Sequence, residues 1–130
     1  MTKDDLRQYD HLLKEIETLQ AEVIRVRESL SIVQQLSDMP KSKNERDRIA
    51  DTIAKIVDLE TEIHTRIRLA IDLRGEIEAA IDSLPVQERL LIRLHYVDGL
   101  SWVQVAHELK CSWRQTHRLH GWALQKIIIK

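Results

Sequence analysis

Phenylalanine is absent from these 130 residues, cysteine occurs once, proline twice and glycine three times, and each scarcity closes off a class of protein. With Cys111 as the single thiol an internal disulfide is impossible, so a disulfide-stapled secreted domain is excluded and a reducing compartment suits the chain. Few turn-formers and no strand-like alternation of polar and apolar residues exclude α/β enzyme architectures in favour of one or two small all-helical units. No apolar run approaches the roughly 18 residues that a membrane span requires, and the first residues are charged and polar, unlike a signal peptide. The expectation is a cytoplasmic protein with no membrane partner. Nor is there a glycine-rich phosphate loop or a nucleophile elbow, and the acids lie chiefly on the exposed faces of amphipathic helices. No enzyme, cofactor or metal is expected.

What the chain has in abundance is Leu, Ile, Glu and Arg at helical spacing. Tyr9, Leu12, Ile16, Leu19, Val23, Val26, Leu30 and Val33 recur at alternating intervals of three and four, the seam of a coiled coil. After Leu36 the polar stretch Ser37 to Asn44, with Pro40, reads as a loop. Ile49, Ile53, Ile56, Ile63, Ile67, Ala70, Ile77, Ile81 and Leu84 then resume the seam as far as Pro85. Two helices each on the order of 50 Å long, at about 1.5 Å per residue, predict an antiparallel helical hairpin over residues 1–83. Val57, Leu59, Leu69, Ile71 and Leu73 make a second apolar stripe that a lone hairpin leaves uncovered. Two hairpins pairing into a four-helix bundle would cover it, which predicts a homodimer.

Residues 84–130 read as a three-helix helix-turn-helix domain. Pro85 suits a first helical position, and Leu90, Leu91, Leu94 and Val97 follow at helical spacing before Asp98-Gly99 breaks the chain. Ser101 and Ser112 are candidate N-caps, each followed three residues later by a glutamine, Gln104 and Gln115, as a capping box wants. Only Lys110 and Cys111 separate Leu109 from the second cap, a spacing that fits a DNA-binding helix pair. The expected core adds Leu100, Val105, Ala106, Leu109, Leu119, Ala123, Leu124 and Ile127. Charge divides in the same way. From Leu84 onward there are seven Lys or Arg against three acids, while the first 83 residues hold thirteen basic and eighteen acidic, so a near-neutral total conceals an acidic rod and a basic head.

Leu84-Pro85, Arg89 to Tyr96, Asp98-Gly99-Leu100-Ser101-Trp102, Val105-Ala106, Leu109, Ser112, Arg118-Leu119-His120 and Ala123-Leu124 together resemble region 4 of bacterial sigma factors. The whole chain looks like the small phage transcriptional regulators of the ArpU-like and RinA-like type, in which a long helical segment precedes such a domain. The resemblance implies DNA binding through the helix after Ser112, at phage promoters and with contact to host RNA polymerase. Two positions depart from the family pattern: Lys110 stands where a glycine is common, and Thr116 replaces an aliphatic residue. A left-handed backbone at Lys110 carries a steric cost. The Thr116 methyl can pack while its hydroxyl bonds back to the preceding turn.

Double-stranded DNA is thus the expected partner. Trp113, Arg114, Gln115, His117 and Arg118, on the first turns of the recognition helix, are the base-reading candidates, since Arg pairs bidentately with guanine and Gln with adenine. Ser101, Trp102, Lys110 and Ser112, at helix starts or in the turn, are the phosphate candidates. Simpler readings stand beside these. Trp102, Trp113 and Trp122 complete a core that lacks phenylalanine, Arg114 and Arg118 form a solvated face, and His107, Cys111, His117 and His120 match no standard zinc spacing. Two other functions fit the same architecture: a DNA-packaging factor of the small-terminase kind, which would form rings, and a coiled-coil scaffold gripping RNA polymerase or a sigma factor.

Overall fold

The computed structural model describes residues 1–36 and 42–129. Among them are five α-helices and no strand: α1 (Lys3–Leu36), α2 (Lys43–Ile81), α3 (Val86–Ile92), α4 (Trp102–Leu109) and α5 (Trp113–Ile129), with a π-helical turn (Arg93–Val97) continuing α3. Two long helices followed by short ones is the all-α order that periodicity predicts. Ser37 to Lys41 of the expected loop lie outside the described residues. The second helix starts earlier than expected, because Ser42 caps α2: its Oγ accepts from the Glu45 N–H at 3.2 Å, and Lys43 and Asn44 are in the helix. At its other end α2 stops at Ile81, short of Pro85. The chain divides into two compact units, Lys14–Arg68 and a second made of Met1–Leu13 with Leu69–Lys130.

The Lys14–Arg68 unit pairs α1 with α2 in antiparallel sense. Glu15 accepts from Arg66 Nε at 2.5 Å, Glu22 lies 3.6 Å from Lys55 Nζ, and Arg27 pairs with Glu60, so rising numbers on one helix meet falling numbers on the other. Ile16, Val23, Ile56, Leu59 and Ile63 are buried between them. Of the other residues expected in the seam here, Leu19, Val26, Leu30, Ile49 and Ile67 are only partly buried, and Val33 and Ile53 are about half exposed, as are Ile24, Ile32 and Val57 beside it. A pair of helices covers one stripe on each, and this unit describes no third element to cover another.

The second unit is larger than the segment 84–130 singled out above. Leu6, Tyr9 and Leu12 of α1 and Ala70, Ile77 and Ile81 of α2 are buried in it with Leu84, Leu91, Ile92, Val97, Val105, Ala106, Leu119, Ala123 and Ile127. Pro85 is not the first helical residue but the N-cap of α3, at φ −53° and ψ 153°. Its carbonyl accepts the first helical bond from Arg89 N–H at 2.9 Å. Leu90, expected inside, is 40 % exposed, whereas Glu88 is 4 % exposed. Glu88, Leu91 and Ile92 share one face of α3 by their spacing of three and four, and Leu90 falls on the other. The carboxylate is tolerated inside because both its oxygens accept from Lys126 Nζ at 2.9 Å.

After Ile92 the hydrogen bonding widens: Asp98 N–H reaches Arg93 O, five residues back, at 2.9 Å, and Leu100 N–H reaches Leu94 O, six back, at 3.0 Å. This widening changes the helical phase, so that Tyr96 and Val97, adjacent in sequence, are both buried. Gly99, at φ 76°, supplies the left-handed residue that turns the chain towards α4.

Candidate nucleic-acid interface

Local chemistry fixes the starts of both helices of the pair. Ser101 Oγ accepts from Gln104 N–H at 3.2 Å while Gln104 Oε1 accepts from Ser101 N–H at 2.9 Å, a closed capping box. At α5, Ser112 Oγ accepts from Gln115 N–H at 3.1 Å. Each serine hydroxyl keeps its own proton for a further acceptor.

Between the helices, Lys110 adopts φ 56° and ψ 39°. Its N–H donates to His107 O at 3.2 Å and that of Cys111 to Ala106 O at 3.0 Å, the bond pair of a Schellman turn with Lys110 at the position usually given to glycine. The turn is therefore left-handed, as the family pattern implies, and a lysine occupies it. Thr116 is fully buried in α5, its Oγ1 donating to Ser112 O at 2.9 Å, so the methyl packs inward while the hydroxyl is satisfied by its own helix.

Thr116, Leu119, Ala123 and Ile127 hold one face of α5 inside. At 3.6 residues per turn the opposite stripe is Arg114, Arg118, Gly121 and Gln125, and all four are exposed. Gln115 is exposed and Trp113 is 61 % exposed. His117 is half-buried, its ring 3.9 Å from that of Trp113 and 5.3 Å from that of Trp102 between centroids, with Nε2 inside and unpartnered. Trp122, expected to complete the core, is 51 % exposed. It lies on the flank of the outward stripe, while Tyr96, Thr116 and His120 are buried.

Trp102 is half-buried and stacked on His95, with centroids 3.8 Å apart and planes 18° from parallel. His120 closes the stack from below at 4.4 Å. His95 Nδ1–H donates to Leu100 O at 2.8 Å, which fixes that ring, and burial lowers its pKa. Burial likewise pushes the His120 imidazole down to about 4, with Lys3, His95, His117 and Arg7 adding repulsion. His120 Nε2 and the Tyr96 hydroxyl share a hydrogen bond of 2.7 Å, and burial raises the tyrosine pKa. This ring cluster, which seats the start of α4, escaped the sequence reading; the only local signal is His95-Tyr96 on the inner side of the third helix.

The distribution of charge also differs from the linear count. The whole second unit holds ten basic and ten acidic residues, so it is polarised rather than basic. Arg93 is taken up by Glu78, which it holds below the usual carboxylate range, and Lys126 by Glu88. Arg89 donates to Asp82 O at 3.3 Å. Among the described residues no ion pair engages Lys110, Arg114 or Arg118, and all three are exposed. The turn and the outward stripe of α5 therefore carry cations that no ion pair among the described residues engages. No helix of the described residues is long and apolar enough to cross a membrane.

Neither a curated protein nor a solved structure matches the chain. Residues 74–114 match the family model described as Sigma-70, region 4, a span that begins in the last turns of α2, ten residues before the segment noted from sequence, and ends on the first turn of α5. Over that span, which takes in α3, the π-helical turn, α4 and the turn at Lys110, the chain carries a helix-turn-helix similar to region 4 of sigma-70 factors.

Proposed function

We propose that this protein is a sequence-specific DNA-binding transcription regulator, of the kind that phages and prophages encode, which docks α5 in the major groove of promoter DNA. The observation that carries the proposal is the exposed, unpaired set Lys110, Arg114 and Arg118 on the turn and outward stripe of a sigma-region-4-like helix pair. A flat fork of guanidinium donors at Arg114 suits the O6 and N7 acceptors of guanine, with Gln115 beside it for adenine. Trp113 and Arg118 flank them. His117 leans on two tryptophans and serves the fit of the helix more than the reading of bases. Ser101, Ser112 and Lys110 meet phosphates: two spare hydroxyl protons at helix N-termini and one ammonium in the turn. These fix orientation, while the stripe on α5 discriminates.

The protein acts without catalysis, in the cytoplasm, and as a homodimer. Support for self-association comes from Ile24, Ile32, Val33, Ile53 and Val57, all about half exposed on one pair of helices. Two reading heads joined in this way bind a two-part site at higher effective concentration. Contact with host RNA polymerase follows from the family likeness and would place the dimer beside the enzyme at its promoters. Selection of bound duplexes from a random pool tests the reading: a recurrent two-part motif is expected, and sequences no different from the starting pool would refute it. Equilibrium sedimentation of the full chain at tens of micromolar tests the dimer, which a monomer mass would exclude.

A further inference from the structure

We infer that the middle of α5, as well as its first turns, lies against DNA: Gly121 is the point of closest approach to the duplex, and Trp122 rests its ring on the sugar-phosphate wall beside it. This rests on the DNA-binding reading above and deepens it by naming the contact that the same helix makes beyond Arg118.

Gly121 is the ninth of the 17 residues of α5. Glycine is the poorest helix former after proline, so at the midpoint of a helix it calls for a reason. The fold itself supplies none. Among the described residues the glycine with positive φ is Gly99, so Gly121 has no need of a left-handed backbone. A Cβ built there would meet nothing within 4 Å, so no neighbouring helix presses on it either. The position is exposed and stands on the outward stripe with Arg114, Arg118 and Gln125, opposite the face that holds Thr116, Leu119 and Ala123 inside.

The next residue is unusual in the opposite sense. Trp122 is 51 % exposed in a chain that has no phenylalanine to spend on its core. Trp102 and Trp113 each pack on a histidine ring, whereas Trp122 has no ring partner among the described residues. It lies on the Arg118 side of the stripe, one turn further along the helix. An indole offers a flat apolar face and a single N–H donor, which suit deoxyribose and a phosphate oxygen.

The dimensions agree with this placement. A helix with its side chains is about 10–12 Å across and the major groove about 12 Å wide, so α5 fills the groove with little to spare. The groove curves around the duplex while the helix is straight, so the two come closest at one place and part on either side of it. A residue without a side chain at that place lets the helix axis sink further in. Charge favours DNA over a second copy of this chain as the occupant. Helix α5 contains no acid, and a two-fold contact centred on Gly121 would bring Arg114 and Arg118 of the two copies together.

The test uses the full chain, the duplex recovered by selection and a random-sequence duplex of equal length, with affinity read by fluorescence anisotropy and stability by thermal melts. Gly121→Ala and Gly121→Leu should both raise the melting temperature, because alanine and leucine are better helix formers. Both should nevertheless weaken binding to the selected duplex, by roughly tenfold for alanine and more for leucine, the scale of an overpacked contact. Trp122→Gln should weaken it severalfold while melting near the parent. Gly75→Ala is the control: Gly75 is exposed on α2 with equally open space around it, so this variant should gain stability and bind as the parent does. Parental affinity in Gly121→Leu or in Trp122→Gln, while Arg114→Ala loses its preference for the selected duplex, overturns this inference and leaves the DNA-binding reading standing. Three other results overturn it too: Gly121→Ala melting below the parent, an equal loss of affinity in Gly75→Ala, or a smaller sedimenting mass of Trp122→Gln without DNA, which would make the patch a contact between copies. If the parent binds neither duplex at about 50 mM KCl, this inference and the DNA-binding reading fall together.

Discussion

Lys110→Gly should stabilise the protein while weakening its hold on DNA. At φ 56° and ψ 39° the lysine Cβ crowds the following carbonyl, a cost of roughly 1–2 kcal/mol that glycine avoids. Glycine gives back part of this, about 0.4–1 kcal/mol, by its greater freedom in the unfolded chain. The side chain is exposed and has no ion pair among the described residues, so little packing is lost, and the two backbone bonds of the turn do not involve it. The net expectation is a gain of about 0.5–1 kcal/mol, or roughly 2–6 °C in the melting temperature of a protein of this size. Lys110→Asn, which tolerates the left-handed region, should fall between parent and glycine, and Lys110→Val should destabilise, because a β-branched residue fits that region worst. Melts followed by circular dichroism at 222 nm give the order directly. A glycine variant less stable than the parent, or a valine variant equal to it, would refute the steric reasoning. On duplex DNA all three should lose about 0.9 from the salt slope, the mark of one phosphate contact, whatever their stability.

Four further outcomes are expected. Arg114→Ala should cost about 1–3 kcal/mol on a selected site and far less on random DNA; equal losses on both would remove it from base reading. Because His120 titrates near 4 in the folded protein and near 6.5 when unfolded, only the unfolded chain takes up its proton between those values, so stability should fall with acidification from pH 6.5 to 4. The loss should reach about 2–3 kcal/mol and be largely absent in His120→Phe, as denaturant midpoints across that range will show. Lys126→Met leaves the Glu88 carboxylate inside without its partner and should destabilise by about 1–3 kcal/mol, with Glu88→Gln in the same chain restoring part of the loss; additive effects would contradict the pairing. Gly121 sits mid-helix with nothing within 4 Å of an added Cβ, so Gly121→Ala should stabilise by about 0.5–1 kcal/mol, and a lower melting temperature would show an unseen constraint.

Features set within one or two turns of chain were legible in the sequence. The serine caps, the left-handed turn at Lys110 and the back-bonded Thr116 each depend on residues three or four apart, and periodicity marks α1 and α2 for the same reason. What a residue meets across the fold was not legible. Glu88 goes inside because Lys126, 38 residues away, reaches it, and that choice turns Leu90 outward. Trp122 looked like core because the chain lacks phenylalanine, but it is about half exposed, and the hydrogen-bonded pair of Tyr96 and His120 is what is buried. The π-helical turn that brings Tyr96 and Val97 in together has no signature in a run as ordinary as Arg93 to Val97. Counting charge along the chain suggested a basic head, whereas the folded unit is balanced in charge, because acids of α1 and of the last turns of α2 belong to the same unit. The site residues on α5 were legible as exposed positions, yet His117 shows that exposure on a helical wheel ignores neighbouring rings.

Amide hydrogen exchange of the full chain, with and without saturating duplex DNA carrying a selected site, tests the central claim most directly. Protection should concentrate in peptides spanning residues 100–104 and 111–122, at the start of α4 and along the outward stripe of α5. Exchange that DNA leaves unchanged there, or slows only within residues 14–68, would contradict the account.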